Sequence, residues 1–235
     1  MWQRIEPAAG GIGQVDDLPD APATADVVLL HGFLSSPLSM WSIAKALRSV
    51  GFAPYLPWYE TWSCPFEDTV DKLCTVLSER AIGTGRTVHF VAHSMGGLVA
   101  RAVIARLQPI RIGRLVMLGT PNGGSELADF AAASPILRTV LGCAEPALVT
   151  RRDHPAIAAL GSPDYPVGVI AGNRPLPGLL RILPMPHDGK VSVAATHVDG
   201  EADHIVLPVT HTLMPFDRRV REQVLAFLRE GRFAR

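Results

Sequence analysis

The sequence predicts an α/β fold: a mostly parallel sheet of about six strands, helices on both faces, and one small cap insertion. Three observations carry this expectation. Short continuous runs of β-branched and aliphatic residues recur along the 235 residues, and such runs read as strands buried on both faces. Between them, apolar residues return at helical spacing. The two kinds of segment alternate, as they do when helical crossovers connect the strands of a parallel sheet.

Each element has its own signal. Residues 1–24 are polar and turn-rich and are expected to form an N-terminal arm. Their Gly10-Gly11-Ile12-Gly13 follows no strand, so a dinucleotide-binding loop is not expected there. Val27-Val28-Leu29-Leu30 is the first strand, broken by His31-Gly32-Phe33-Leu34. Ser36 and Pro37 then open a helix whose expected apolar face is Leu38, Trp41, Ala44, Ala46 and Leu47, with Gly51 as its stop. A short strand near Ala53 to Leu56 leads to a Trp58-Tyr59 loop. Phe66, Val70, Leu73, Cys74 and Leu77 mark the next helix, closed by Gly83 and Gly85. Strands are expected at Thr87 to Ala92, Arg114 to Leu118, Val167 to Ala171 and His204 to Val209. A helix follows the first strand of that set almost without a loop, from Leu98 to Ala105. Asp217 caps a closing helix that turns Val220, Val224, Phe227 and Leu228 inward and ends at Gly231.

Composition narrows the function. Acidic and basic residues balance at 22 each, which argues against nucleic acid as a partner. With 48% hydrophobic and 19% charged residues the chain is not a disordered one. Three cysteines at irregular spacing suit neither a disulfide framework nor a zinc site. No run approaches 18 apolar residues, so no transmembrane segment is expected, and residues 1–24 lack the apolar core of a signal peptide. The expectation is a single cytoplasmic domain over residues 1–235. Ten of the twenty prolines fall between Pro121 and Pro186, which forecasts a turn-rich stretch.

The strongest chemical signal is Ala92-His93-Ser94-Met95-Gly96-Gly97, at a strand-to-helix junction. A nucleophilic serine must project from the sheet beside backbone N–H groups that can hold an oxyanion. A very tight turn achieves this when small residues let helix and strand close on each other, as Ala92 and Gly96 allow.

Here the chain resembles the α/β-hydrolase superfamily, in its lipase-like esterase branch. His31-Gly32-Phe33 is similar to the His-Gly-hydrophobic segment of that branch, and Leu118-Gly119-Thr120-Pro121-Asn122-Gly123-Gly124-Ser125 to its Leu-Gly-Thr-Pro…Gly-Ser segment. Asp188-Gly189-Lys190-Val191 resembles the loop that carries the acid. One departure is Ala92 in place of the first glycine of the serine motif. The partners must follow in the order serine, acid, histidine. His211 comes just after the last strand, whereas His204 begins that strand at the opposite edge. Asp188 lies beyond its strand, while Asp164 and Asp203 precede theirs. The catalytic set is therefore expected to be Ser94, Asp188 and His211, with His93 as a packing or hydrogen-bonding residue. By resemblance, the backbone N–H groups of Phe33 and Met95 form the oxyanion hole.

These residues imply acyl transfer from a small-molecule ester or lipid through a serine acyl-enzyme, needing neither metal nor organic cofactor. Thioester, amide and acyl-acceptor chemistry share that intermediate and remain alternatives, as does a ligand-binding member of the fold that has lost its chemistry. Leu34, Leu213 and Met214 are expected to line the substrate site. Residues 124–165 exceed what a minimal crossover needs and carry Leu127, Phe130, Ile136, Leu137, Val140 and Leu141. They are expected to form a small helical cap, with completion of the core as the alternative.

Overall fold

A computed structural model describes residues 25–107, 111–175 and 182–235. The proposed N-terminal arm lies outside them. Its elements, in chain order, are β1 (Asp26–Leu30), α1 (Trp41–Arg48), β2 (Ala53–Tyr55), α2 (Phe66–Glu79), β3 (Val88–His93), α3 (Met95–Arg106) and β4 (Ile112–Leu118). The insertion follows as α4 (Glu126–Ala132), α5 (Pro135–Leu141), α6 (Glu145–Leu148) and α7 (Pro155–Ala158). The chain closes with β5 (Val167–Gly172), α8 (Val193–Thr196), β6 (Asp203–Leu207) and α9 (Arg218–Glu230).

The six strands form one sheet in the order β2-β1-β3-β4-β5-β6, and every neighbouring pair is parallel. Strand pleating sorts the continuous apolar runs onto two faces. Val28, Leu30, Phe90, Ala92, Leu115 and Met117 face a core shared with α2 and α3. Val27, Leu29, Val91, Val116 and Leu118 face a second core under α1 and α9. Both faces are buried, which explains why these strands have no polar period. Among the described residues no helix is long and apolar enough to cross a membrane.

The closing helix matches its sequence signals closely. The Asp217 side chain accepts the Arg219 N–H at 2.8 Å, and the Gly231 N–H returns to Phe227 O at 2.8 Å from a left-handed φ of 77°. Val220, Val224, Phe227 and Leu228 are all buried, each contributing about 1.5–3 kcal/mol of transfer free energy.

Expectation and structure part at α1. Leu38 and Trp41 were assigned to its apolar face but stand 67% and 55% exposed, while Met40 and Ile43 are buried. The reason is local. Residues Pro37–Met40 form a 3₁₀ turn, and its tighter winding puts the first turn out of phase with the α-helix that continues it.

Candidate active site

The site is built at the carboxyl edge of the sheet, where β3 turns into α3. Ser94 occupies the turn at φ 56°, ψ −131°, a conformation that costs a non-glycine residue about 1–3 kcal/mol. The turn is held by its own backbone: Ser94 N–H donates to Leu118 O at 2.8 Å, and Gly97 N–H to Ser94 O at 2.9 Å. Gly96 is there because α3 crosses the end of β1. A Cβ on it would lie 2.5 Å from His31 O and 2.8 Å from Leu30 O, both rigid backbone. Gly97 is pressed in the same way against the Thr120 side chain.

The structure brings the three residues expected to do chemistry into one hydrogen-bonded line. His211 Nε2 lies 2.9 Å from Ser94 Oγ, and His211 Nδ1 lies 2.7 Å from Asp188 Oδ2. Asp188 and His211 are buried, and Ser94 is partly open. Asp188 Oδ1 accepts the N–H of Lys190 at 2.9 Å and of Val191 at 2.8 Å. Burial alone would push the Asp188 carboxyl up. The charge and hydrogen bond of His211, with those two N–H groups, outweigh it and hold the carboxyl below its ordinary range. The acid loop and the histidine loop are also tied directly, His211 N–H donating to Asp188 O at 3.0 Å.

Gly119 gives this pair its room. It sits at φ 58°, and a Cβ would lie 3.0 Å from Asp188 Oδ2 and 3.1 Å from His211 Nδ1. His93, read from sequence as a packing or hydrogen-bonding residue, donates from Nε2 to His211 O at 3.0 Å. Burial, then the neighbouring His211, takes the His93 imidazole down to about 3, so it is neutral at working pH. With the Nε2 proton committed to that carbonyl, His93 braces the main chain of His211.

The loop after β1 lies against the serine. Gly32 is close enough that a Cβ would meet the Ser94 Cβ at 2.9 Å. Leu34 N–H donates to Thr61 Oγ1 at 3.1 Å, the Tyr59 hydroxyl donates to His31 O, and the His31 and Tyr59 rings stack at 4.2 Å. Burial holds the Tyr59 hydroxyl well above its usual range, so it stays protonated as that donor. Among the described residues no acceptor meets the N–H of Phe33 or of Met95. From sequence Tyr59 is placed only in a loop, and Thr61 is given no role. Neither has a periodic signature, because both act through contacts with a loop 28 and 27 residues away.

A cavity of about 540 Å³ opens on Ser94 and His211. Its walls are mainly apolar: Phe33 and Leu34 from the first loop, Leu127, Phe130, Leu137 and Leu141 from α4 and α5, and Phe216 from beyond His211. Two expected wall residues are elsewhere. Met214 is fully buried in the core under α1 and α9, and Leu213 lines a separate surface hollow with Arg174 and Arg219. After His211 the chain winds into a 3₁₀ turn, Met214–Phe216, with Met214 N–H bonded to His211 O. That turn drives Met214 inward and delivers Phe216 to the cavity instead. The rejected rivals lie off the site: Asp203 accepts Phe233 N–H and Arg235, His204 meets Thr196, and Asp164 is exposed.

Six parallel strands, a serine at a strained strand-to-helix turn, and acid and histidine on later loops define the α/β-hydrolase fold, and the chain has that fold. Comparison with known proteins agrees. Residues 60–160 match a family described as a domain of unknown function (DUF7379). Over 144 residues the chain is 29% identical to a triacylglycerol lipase of Burkholderia plantarii, covering 54% of this chain and 40% of that lipase. The chain thus aligns with less than half the length of that curated relative. Among solved structures, the mature lipase BlEst2 of Bacillus licheniformis is similar with a TM-score of 0.68 at 19% identity, over 92% of this chain and 96% of that one. The thioesterase RedJ of Streptomyces coelicolor, from a prodiginine biosynthetic pathway, is similar with a TM-score of 0.60 at 16% identity, over 93% and 91% of the two chains.

Proposed function

We propose that this protein is a serine hydrolase of carboxylic esters, an esterase or lipase, working through an acyl-enzyme on Ser94. The observation that carries the reading is the line from Ser94 Oγ through His211 to the buried Asp188, opening into an apolar cavity. In the resting state Ser94 donates its hydroxyl proton to His211 Nε2, and His211 Nδ1–H donates to Asp188. His211 removes the serine proton as Oγ attacks the ester carbonyl, and Asp188 stabilises the imidazolium so formed. The developing oxyanion takes the unpartnered N–H groups of Phe33 and Met95, each such donor being worth about 3–4 kcal/mol in the transition state. His211 then gives its proton to the departing alcohol. Water enters by the same route and frees the acid.

The apolar walls favour an acyl chain over a charged group as occupant. Residues 124–165 act as a cap in this reading, with α4 and α5 forming one side of the cavity. That cap is fastened to the loop carrying Trp62: Trp62 Nε1 donates to Val140 O at 3.1 Å, and Cys143 N–H donates to Trp62 O at 2.8 Å.

A fluorophosphonate probe tests the nucleophile. It should label the protein once, and Ser94→Ala should abolish both labelling and p-nitrophenyl ester hydrolysis with little change in the thermal melt. Labelling that survives in Ser94→Ala would overturn the assignment. A panel of ester, thioester and amide substrates of equal acyl length then identifies the bond cleaved, and faster thioester or amide turnover would replace the esterase reading.

A further inference from the structure

His197, Glu201 and His204 cluster where α8 leads into β6, apart from the proposed catalytic line. One donor atom from each lies within 4.8 Å of the donors of the other two. The two imidazoles stack with centroids 3.9 Å apart and planes at 15°. This is a nitrogen, nitrogen, carboxylate set, whose donors suit zinc and similar transition metals better than calcium or magnesium.

The hydrogen bonds around the cluster already fix which lone pairs are free. Thr196 Oγ1 donates to Val193 O at 2.7 Å, so towards His204 Nε2, 3.0 Å away, it serves as acceptor. His204 therefore carries its proton on Nε2 and its lone pair on Nδ1. This is the outer hydrogen bond that commonly orients a metal-bound histidine. His197 Nδ1 lies 2.6 Å from Glu201 Oε1, and Glu201 Oε2 accepts the Val198 N–H at 3.2 Å. The carboxylate is thus turned toward the rings by a backbone anchor. A tetrahedral zinc ion with ligands at about 2.0–2.2 Å needs donors roughly 3.3–3.6 Å apart. The His197 side chain is 54% exposed and free to make the small torsional change this requires.

We propose that His197, Glu201 and His204 bind one divalent transition-metal ion of the zinc type, with water completing the coordination. The ion joins the end of α8 to the first residues of β6. Through α8 it also bears on the loop after β4, because Ala195 O accepts Gly123 N–H and Thr196 O accepts Asn122 Nδ2, both at 2.8 Å. Its consequence is rigidity of the connection behind Asp188, not a step in acyl transfer, and the proposal is independent of the esterase reading.

The test uses untagged full-length protein stripped with a chelator and titrated with zinc chloride by calorimetry, then with cobalt(II) followed by its visible absorption. One ion should bind per chain, and at a hundredfold excess over Kd the melting temperature should rise by about 5–10 °C. His197→Ala and Glu201→Gln should each weaken binding at least tenfold while melting normally without metal. Should His197→Ala fail to fold, Glu201→Gln decides the matter. His211→Ala should bind as the parent does. Absence of saturable binding, binding untouched by both cluster variants, or binding lost in His211→Ala would each overturn the proposal.

Discussion

Replacing Asp188 by asparagine changes the donor and acceptor pattern at one buried point while keeping its shape. The carboxylate accepts three N–H groups: His211 Nδ1 on Oδ2, and Lys190 and Val191 on Oδ1. An amide can satisfy the two backbone donors only by presenting its oxygen to them, which points its NH2 at His211 Nδ1. The opposite orientation would set NH2 against two N–H groups and leave them unpaired, at about 1–3 kcal/mol each. The first orientation therefore holds, and it forces the His211 proton onto Nε2. That nitrogen then faces Ser94 as a donor and cannot accept the serine proton. The expected loss in kcat/KM at neutral pH is about 10³–10⁴-fold, or roughly 4–5.5 kcal/mol of transition-state stabilisation.

The assay is initial-rate hydrolysis of a soluble short-chain p-nitrophenyl ester, with a melt by circular dichroism on the same samples. The melts carry a second signature. The Asp188 carboxyl is held low in the folded state, so it contributes stability above the unfolded pKa near 4, lost as pH falls through the lower folded value. The asparagine variant lacks that contribution. Its deficit in melting temperature should be largest near neutrality and shrink below about pH 4. A folded Asp188→Asn protein within tenfold of the parent in kcat/KM would refute the reasoning.

Three further perturbations separate packing from chemistry. Gly96→Ala drives a Cβ to within 2.5 Å of the His31 carbonyl and should leave no soluble folded protein, as judged by gel filtration and circular dichroism. His93→Ala removes the donor to His211 O and should lower kcat about tenfold, on the order of one hydrogen bond, with KM nearly unchanged. His89 is buried, accepts the Arg114 N–H at 3.0 Å, and is taken down to about 4 by burial and then by the Arg114 charge. Unfolded histidine titrates near 6.5, so the unfolded chain gains this proton first and stability falls from about pH 6.5 toward 4. His89→Asn supplies a non-titrating acceptor and should flatten that part of the melting-temperature profile. An unchanged slope would remove His89 as its source.

What could be read in advance followed from continuous physical patterns. Strands β1, β3, β4 and β5 are buried on both faces, so their apolar runs are unbroken and their limits are legible to within two residues. Asp188 and His211 were distinguishable from Asp203 and His204 because strand direction alone decides which loops reach the edge where Ser94 sits. The misplacements fall where winding changes within a few residues. The 3₁₀ turn at Pro37–Met40 shifted the apolar phase, and the one at Met214–Phe216 exchanged Met214 for Phe216 as a cavity wall. Such short turns leave no period in a sequence. The supports of the first loop, Tyr59 and Thr61, are tertiary contacts across 28 and 27 residues and have no local signal at all.

The glycines of the site share one physical origin. In a parallel sheet the strand ends converge on one edge, and a serine that must stand clear of the sheet forces backbone against backbone there. Gly96 meets the carbonyls ending β1, Gly32 meets the Ser94 Cβ, and Gly119 meets the Asp188–His211 pair. At each position the nearest contact is 3.0 Å or less for a Cβ that is not there. The three positions draw together the neighbours that the proposed reaction uses: the loop donating Phe33 N–H, the helix start donating Met95 N–H, and the imidazole between serine and carboxylate. Any side chain at one of them would separate a donor or a base from Ser94 by about the thickness of a methyl group. A misplacement near 1 Å costs an enzyme on the order of a hundredfold in rate. The tight packing at this edge therefore belongs to the chemistry as much as to the fold.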